Sequence, residues 1–208
     1  MPRQVDHRQR RRQIAEAVWS VMATRGLDAV SLREVAAEAG ISMGRVQHYF
    51  SSKDAMILHA CEAMAEAAYE DAVGSPADAG AGGEGPVPAE PASRHLVRNV
   101  LLAGIPHDET HRLGAGVWFA FLTKAAVWPE LATVVRRQLD GAHAFLASTL
   151  GEADAAGSLR DGVDPAAEAV ALLALADGVV LRVMVGSLDP QSAVAAVDAR
   201  IAELFIAP

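Results

Sequence analysis

With 208 residues, 51% of them hydrophobic, the chain can close a core of its own without disulfides or metals. Its single cysteine, Cys61, excludes a disulfide framework and a cysteine-built zinc site, and no uncharged apolar run reaches the length of about 18 residues that a membrane span needs. The net charge of −8 argues against a general nucleic-acid binder but conceals an asymmetry: residues 1–60 hold nine Arg and Lys against six Asp and Glu, whereas the remainder holds nine against twenty.

Hydrophobicity leans on alanine and aromatics are only 5%, so an all-α chain is expected. Residues 1–6 read as a disordered start, followed by the arginines Arg8, Arg10, Arg11 and Arg12. No apolar segment follows them as a secretory signal would require, which makes the cytoplasm the expected location. From His7 to Thr24, Ile14, Ala17, Val18, Val21 and Met22 recur with helical period, and Gly26 stops the helix. Ser31, with Glu34 three residues on, forms a capping box that opens a second helix to Ala39. Gly40 ends that helix, Ile41 points inward, and Ser42 caps a third to about Tyr49. Lys53 and Asp54 open a long helix to about Val73. Residues 74–92, rich in Gly and Pro, read as a flexible loop. Helices are then expected at 93–103, 108–126, 129–151, 165–187 and 190–205. The last two open on Asp-Pro pairs, which place a cap and a first-turn proline correctly. The total is about nine helices.

Two helices flanking Ala39-Gly40-Ile41-Ser42 have helix-turn-helix spacing, since the turn needs glycine for its backbone and a small apolar residue aimed at the core. The second helix of the pair carries Arg45, Gln47 and His48, donor-rich side chains suited to base edges and phosphates. An ordinary helical hairpin with a polar face is the alternative. The wider string Ile14-x-x-Ala17, Gly26-Leu27, Ser31-Leu32-Arg33-Glu34-Val35-Ala36, Ala39-Gly40-Ile41-Ser42 and Tyr49-Phe50-x-x-Lys53-Asp54-x-x-Leu58 resembles the TetR family of bacterial transcriptional repressors. The resemblance implies a three-helix DNA-binding domain at 1–53 and a ligand-binding and dimerisation domain at 54–208. It also implies that Ser31, Arg33, Tyr49 and Lys53 hold phosphates, and that Met43, Gly44, Arg45, Gln47 and His48 face the major groove, with Ser42 at the start of that helix. Gln47 stands where the family commonly has Tyr, so no base preference is carried over. The arginine cluster, Arg11 included, would grip phosphates or enter a minor groove.

In the body, Trp118-x-x-Phe121, Pro129-Glu130-Leu131 and Asp177-Gly178-Val179-Val180-Leu181-Arg182 resemble the C-terminal domain of the branch containing the choline-sensing repressors. Helix 165–187 is apolar nearly all round and should be buried on all sides. The resemblance implies that it pairs with helix 190–205 and their copies in a homodimer through Leu173, Val180, Met184, Val194, Val197 and Ile201. A ligand pocket is expected between helix 54–73 and helices 93–150, lined by Met64, Leu101, Trp118, Phe119, Phe121, Leu122, Trp128 and Phe145. Two tryptophans and two phenylalanines within 118–128 favour a flat or cationic apolar ligand. Asp177, interrupting an apolar helix, is expected to be a buried charge within reach of that ligand. His107-Asp108-Glu109-Thr110-His111 lacks the zincin order and sits where a helix starts, so no metal is expected, nor any cofactor. No nucleophile elbow, P-loop or dinucleotide turn marks an enzyme. These residues read as a dimeric repressor that binds a palindromic double-stranded operator and answers to a small molecule. An activator or global regulator of the same fold, or a helical carrier or enzyme, are the alternatives.

Overall fold

The computed structural model describes residues 2–73 and 92–206, with side chains at 7–70 and 92–206. The loop expected at 74–92 therefore lies outside the described residues, except for Ala92, which is helical. The described residues form nine α-helices: α1 (Pro2–Arg25), α2 (Leu32–Glu38), α3 (Met43–Tyr49), α4 (Lys53–Val73), α5 (Ala92–Leu102), α6 (Glu109–Ala125), α7 (Pro129–Ala155), α8 (Pro165–Met184) and α9 (Pro190–Leu204). A 3-10 turn, Leu27–Ala29, joins α1 to α2. The all-α expectation holds.

Two boundaries differ from expectation by four residues or more. Helix α1 starts at Pro2 rather than near His7, because nothing between the first-turn proline and the arginines breaks a helix. Residues 2–6, expected as a disordered start, are thus helical. Helix α7 runs through Gly151 and ends at Ala155, since the residue with positive φ that terminates it is Gly157 (φ +68°). Ser158 N–H donates back to Ala153 O at 2.9 Å and Gly157 N–H to Asp154 O at 2.8 Å, satisfying the last carbonyls.

The chain divides into two compact units, Met1–Glu66 with Gly116–Gln138, and Ala67–Ala115 with Leu139–Pro208. The boundary expected at residue 53 falls within the first of these units. In the first unit, Ile14, Val18 and Val21 of α1, Val35 and Ala36 of α2, and Val46 of α3 share a core with Met56, Ile57 and Ala60 of α4. The same core takes in Val117 and Phe121 of α6 and Leu131, Val134 and Val135 of α7. An apolar face on each helix is buried against the others, and this burial holds the short α2 and α3, which would be marginal alone. Trp19 reaches across to donate its indole N–H to Ala60 O at 2.9 Å.

In the second unit, Ala169, Leu172, Val179 and Val183 of α8 and Ala193, Val197, Ile201 and Leu204 of α9 are buried, as are Val97 and Leu101 of α5. The Asp-Pro starts work as read: Asp164 accepts from the N–H groups of Ala166 and Ala167, and Asp189 from that of Ser192. Arg98 makes a two-pronged pair with Asp198 at 2.6 and 3.0 Å, tying α5 to α9, and Arg200 pairs with Glu168 at 2.6 Å, tying α9 to α8. An isolated antiparallel bridge, Leu159 to Phe205, closes the end of the unit.

Candidate nucleic-acid interface

Helices α2 and α3 are set by their caps. Ser31 Oγ accepts from Glu34 N–H and Ser42 Oγ from Arg45 N–H, both at 3.2 Å, so each serine satisfies a donor that the helix start leaves open. Between the helices the backbone turns at Gly40 (φ +65°), where a side chain would be strained. Ile41 N–H donates to Ala36 O at 3.0 Å and Gly40 N–H to Ala37 O at 3.2 Å, which fixes the direction in which α3 leaves. Val46 anchors α3 in the core with no exposure.

With Val46 buried and Tyr49 half-buried, the remaining residues of α3 are outward. Met43, Gly44, Arg45, Gln47 and His48 are exposed, as are Ser42 and, on α2, Arg33. No Cβ contact would be made at Gly44, so the backbone there lies open to close approach by another molecule. Tyr49 is half-buried at the end of α3, its ring 4.8 Å from His7 and edge-on to His48 at 5.2 Å. Lys53 Nζ donates to Asp28 O at 3.4 Å, linking the start of α4 to the 3-10 turn. Ser52, which the sequence reading missed, caps α4 by accepting from Ala55 N–H at 3.0 Å. Its signal was present, a serine directly before Lys53-Asp54.

Arg11 behaves differently from its expected role. Its guanidinium lies 4.6 Å from the centre of the Phe50 ring, half-buried, and ties α1 to the end of α3 from within. Phe50 in turn packs against His59 at 5.2 Å. Burial first, then the nearby Arg11 charge, lowers the His59 pKa, and its Nε2 is buried without a hydrogen-bond partner. The arginines left outward are Arg8 and Arg12, the latter 3.3 Å from Glu16. Cys61 is buried, and burial pushes its thiol up to about 12, so it is no nucleophile.

The expected ligand residues divide between the two units. Met64, Trp118, Leu122 and Trp128 are half-buried against the first core and Phe121 lies wholly within it, with Phe119 half-buried. Leu101 is buried in the second unit, where Phe145 meets Tyr69 edge-to-face at 5.4 Å. Tyr69 was not anticipated, because a lone tyrosine near the end of α4 carries no sequence pattern that links it to Phe145, 76 residues on. Asp177 is exposed rather than buried; apolar neighbours still desolvate it enough to raise its pKa.

The expected dimer residues need a similar correction. Val180, Val197 and Ile201 are buried within the chain's own core, while Leu173, Met184 and Val194 are half-buried. Nor is α8 covered on all sides. Val170 (57% exposed), Leu181 (49%) and Val185 (69%) stand outward along one stripe, and Ala195, Ala196, Ala199 and Ala202 are exposed on α9.

An outward, donor-rich α3 seated by a helix-turn-helix in a basic head defines a DNA-binding transcriptional regulator. Residues 14–60 match the family model of bacterial regulatory proteins, tetR family, and residues 93–206 match the BetI-type transcriptional repressor, C-terminal, model. The HTH-type transcriptional regulator PksA of Bacillus subtilis (strain 168) is 33% identical over 190 residues, 91% of this chain and 84% of that one. A transcriptional regulator of Rhodococcus sp. Rha1 aligns with a TM-score of 0.73 at 27% identity over 95% of this chain and 99% of its own. A choline-bound protein of Saccharomonospora viridis aligns with a TM-score of 0.76 at 22% identity over 95% and 98%. The chain belongs to the TetR family. No helix among the described residues is long and apolar enough to cross a membrane.

Proposed function

We propose that the protein is a cytoplasmic homodimeric repressor that holds a palindromic operator until a small apolar or cationic ligand releases it. The observation that carries the dimer is the apolar stripe of Val170, Leu181 and Val185, large aliphatic side chains left in water by a single chain. The exposed alanines of α9, the helix packed against α8, are small enough to allow close helix approach. A two-fold dimer presents two copies of α3, so the operator repeats its half-sites about 10 bp, or a multiple, apart.

Met43, Gly44, Arg45, Gln47 and His48 read bases, while Arg33, Tyr49 and Lys53, with the hydroxyls of Ser31 and Ser42, hold phosphates. The ligand takes the half-buried aromatics Trp118, Phe119 and Trp128, beside Met64 and Leu122. Choline in the S. viridis structure supports a cation among those aromatics, and choline is accordingly the first probe. Helix α4 begins three residues after Phe50 and contributes to the same core as Trp118, so a ligand that repacks these aromatics moves the base of α3. It shifts the DNA equilibrium only by its differential affinity for the two states.

Selection of bound DNA from a random pool, followed by sedimentation of the complex, tests the reading. The expected result is a palindromic consensus bound by two chains. A non-symmetric site bound by one chain overturns it, as does a Leu181→Asp variant that sediments and binds DNA like the parent.

A further inference from the structure

We propose that His107, Asp108 and His111 form a binding site for a divalent transition-metal ion on the rim of a cleft in the second unit. Among the described residues they are the one group of three or more His, Cys, Asp or Glu side chains placed to share an ion, their ligand atoms all lying within 4.8 Å of one another. His111 Nδ1 is 2.7 Å from Asp108 Oδ1, and His107 Nε2 is 3.7 Å from Asp108 Oδ2. The two imidazoles lie against each other, ring centres 3.7 Å apart.

Zinc binds imidazole nitrogen and carboxylate oxygen at about 2.0–2.2 Å, so its ligands stand somewhat closer together than the widest gap here. All three side chains are exposed, and a small change in the His107 and His111 rotamers closes that gap while Asp108 keeps its place at the helix start. The backbone assists. Asp108 caps α6 by accepting from His111 N–H at 2.8 Å, which holds Oδ1 at the helix and leaves Oδ2 toward His107. The cleft, of about 410 Å³, is also lined by Glu109, Asp189 and Arg112. Three carboxylates thus face one guanidinium, and that guanidinium is already committed to Met184 O at 2.8 Å. This excess of negative charge counters the positive end of α6, which by itself disfavours a cation.

Two imidazoles and one carboxylate select zinc, cobalt, nickel or copper over calcium and magnesium, which take oxygen ligands. Three protein ligands leave a coordination position for water or an added donor. The opposite wall of the cleft is Val183, Gly186, Leu188 and Pro190, the turn from α8 to α9. An ion bound here stabilises the folded second unit by mass action, independently of any effector among the aromatics of α6.

The test titrates Co2+ into the full-length, tag-free protein, follows the visible absorption of the bound ion, and then displaces it with Zn2+. The expected result is one Co2+ per chain, with this binding lost in His107→Ala/His111→Ala, since removing two of three direct ligands costs more than the roughly tenfold to hundredfold that follows loss of an outer-shell partner. His95→Ala, an exposed histidine away from the cleft, retains the parent's affinity. Circular dichroism of the apo variants confirms that each is folded. Failure of the parent to bind Co2+, or equal binding by the double variant, overturns the site.

Discussion

The head formed by α1–α3 and the pair α8–α9 are both compact helical arrangements with short connections, and their outward faces differ in kind. The head exposes Arg33, Arg45, Gln47 and His48, whereas the pair exposes Val170, Leu181, Val185 and a run of alanines. A surface that meets phosphates and base edges must carry donors that water also satisfies. One that meets another protein gains by being apolar and leaves that mark on a single chain. Inside, the two are held alike. Each short helix of the head is fixed by a side-chain cap, and Arg25 to Glu34 and Ser20 to Glu38 join α1 to α2, just as Arg200 to Glu168 joins α9 to α8 and Arg98 to Asp198 joins α5 to α9.

The largest effect that separates core from outward apolar surface comes from truncation. Phe121→Ala, at a side chain with no exposure, lowers stability by about 3–5 kcal/mol in urea unfolding, through lost transfer energy and the cavity left behind. Leu181→Ala removes a comparable side chain from the outward stripe. It shifts the midpoint much less, and by an amount that depends on protein concentration, because the loss falls on association. A Leu181→Ala loss as large as that of Phe121→Ala, and independent of concentration, would place Leu181 in the protomer core and remove the contrast.

Within the head, the division between base reading and phosphate holding predicts a smaller effect. Arg45→Ala changes the base preferred at one position of each half-site, a discrimination of about 1–3 kcal/mol. Arg33→Ala weakens binding to all sequences alike and reduces its salt dependence. Binding selections and gel shifts across a salt series read both. An unchanged consensus in Arg45→Ala, or an altered one in Arg33→Ala, reverses the assignment.

What the sequence made legible was whatever depends on neighbouring residues. Ser31, Ser42, Asp164 and Asp189 cap helices within three residues of themselves, and Gly40 needs only its own φ, so local pattern sufficed. The contact of Arg11 with Phe50 spans 39 positions and carries no periodicity to announce it. Helical spacing also says that Val180, Val197 and Ile201 are buried without saying by what. A side chain against its own chain and one against a partner have the same apolar pattern. The metal-ligating cluster fell between these cases. The sequence shows two histidines four residues apart around Asp108 at a helix start, but not that their ligand atoms lie within 4.8 Å of one another.

The smallest expected effect lies beneath the DNA-binding head. His59 is held neutral by burial, and secondarily by the Arg11 charge that stacks on Phe50, so its folded pKa is below its ordinary value. The unfolded chain, with an imidazole titrating near 6.5, takes up that proton first as pH falls. Below about 6.5 the unfolded state therefore binds more protons than the folded one, and stability rises with pH. The contribution from His59 is complete above that pH and is lost progressively as pH drops toward the lowered folded pKa. His59→Gln keeps a side chain of similar size while removing the titration. Urea midpoints measured at about pH 7.5 and 5.5 should accordingly differ more in the parent than in the variant. Parallel pH profiles for the two would show that the imidazole titrates alike in the folded and unfolded chain, and that neither burial nor Arg11 lowers its pKa.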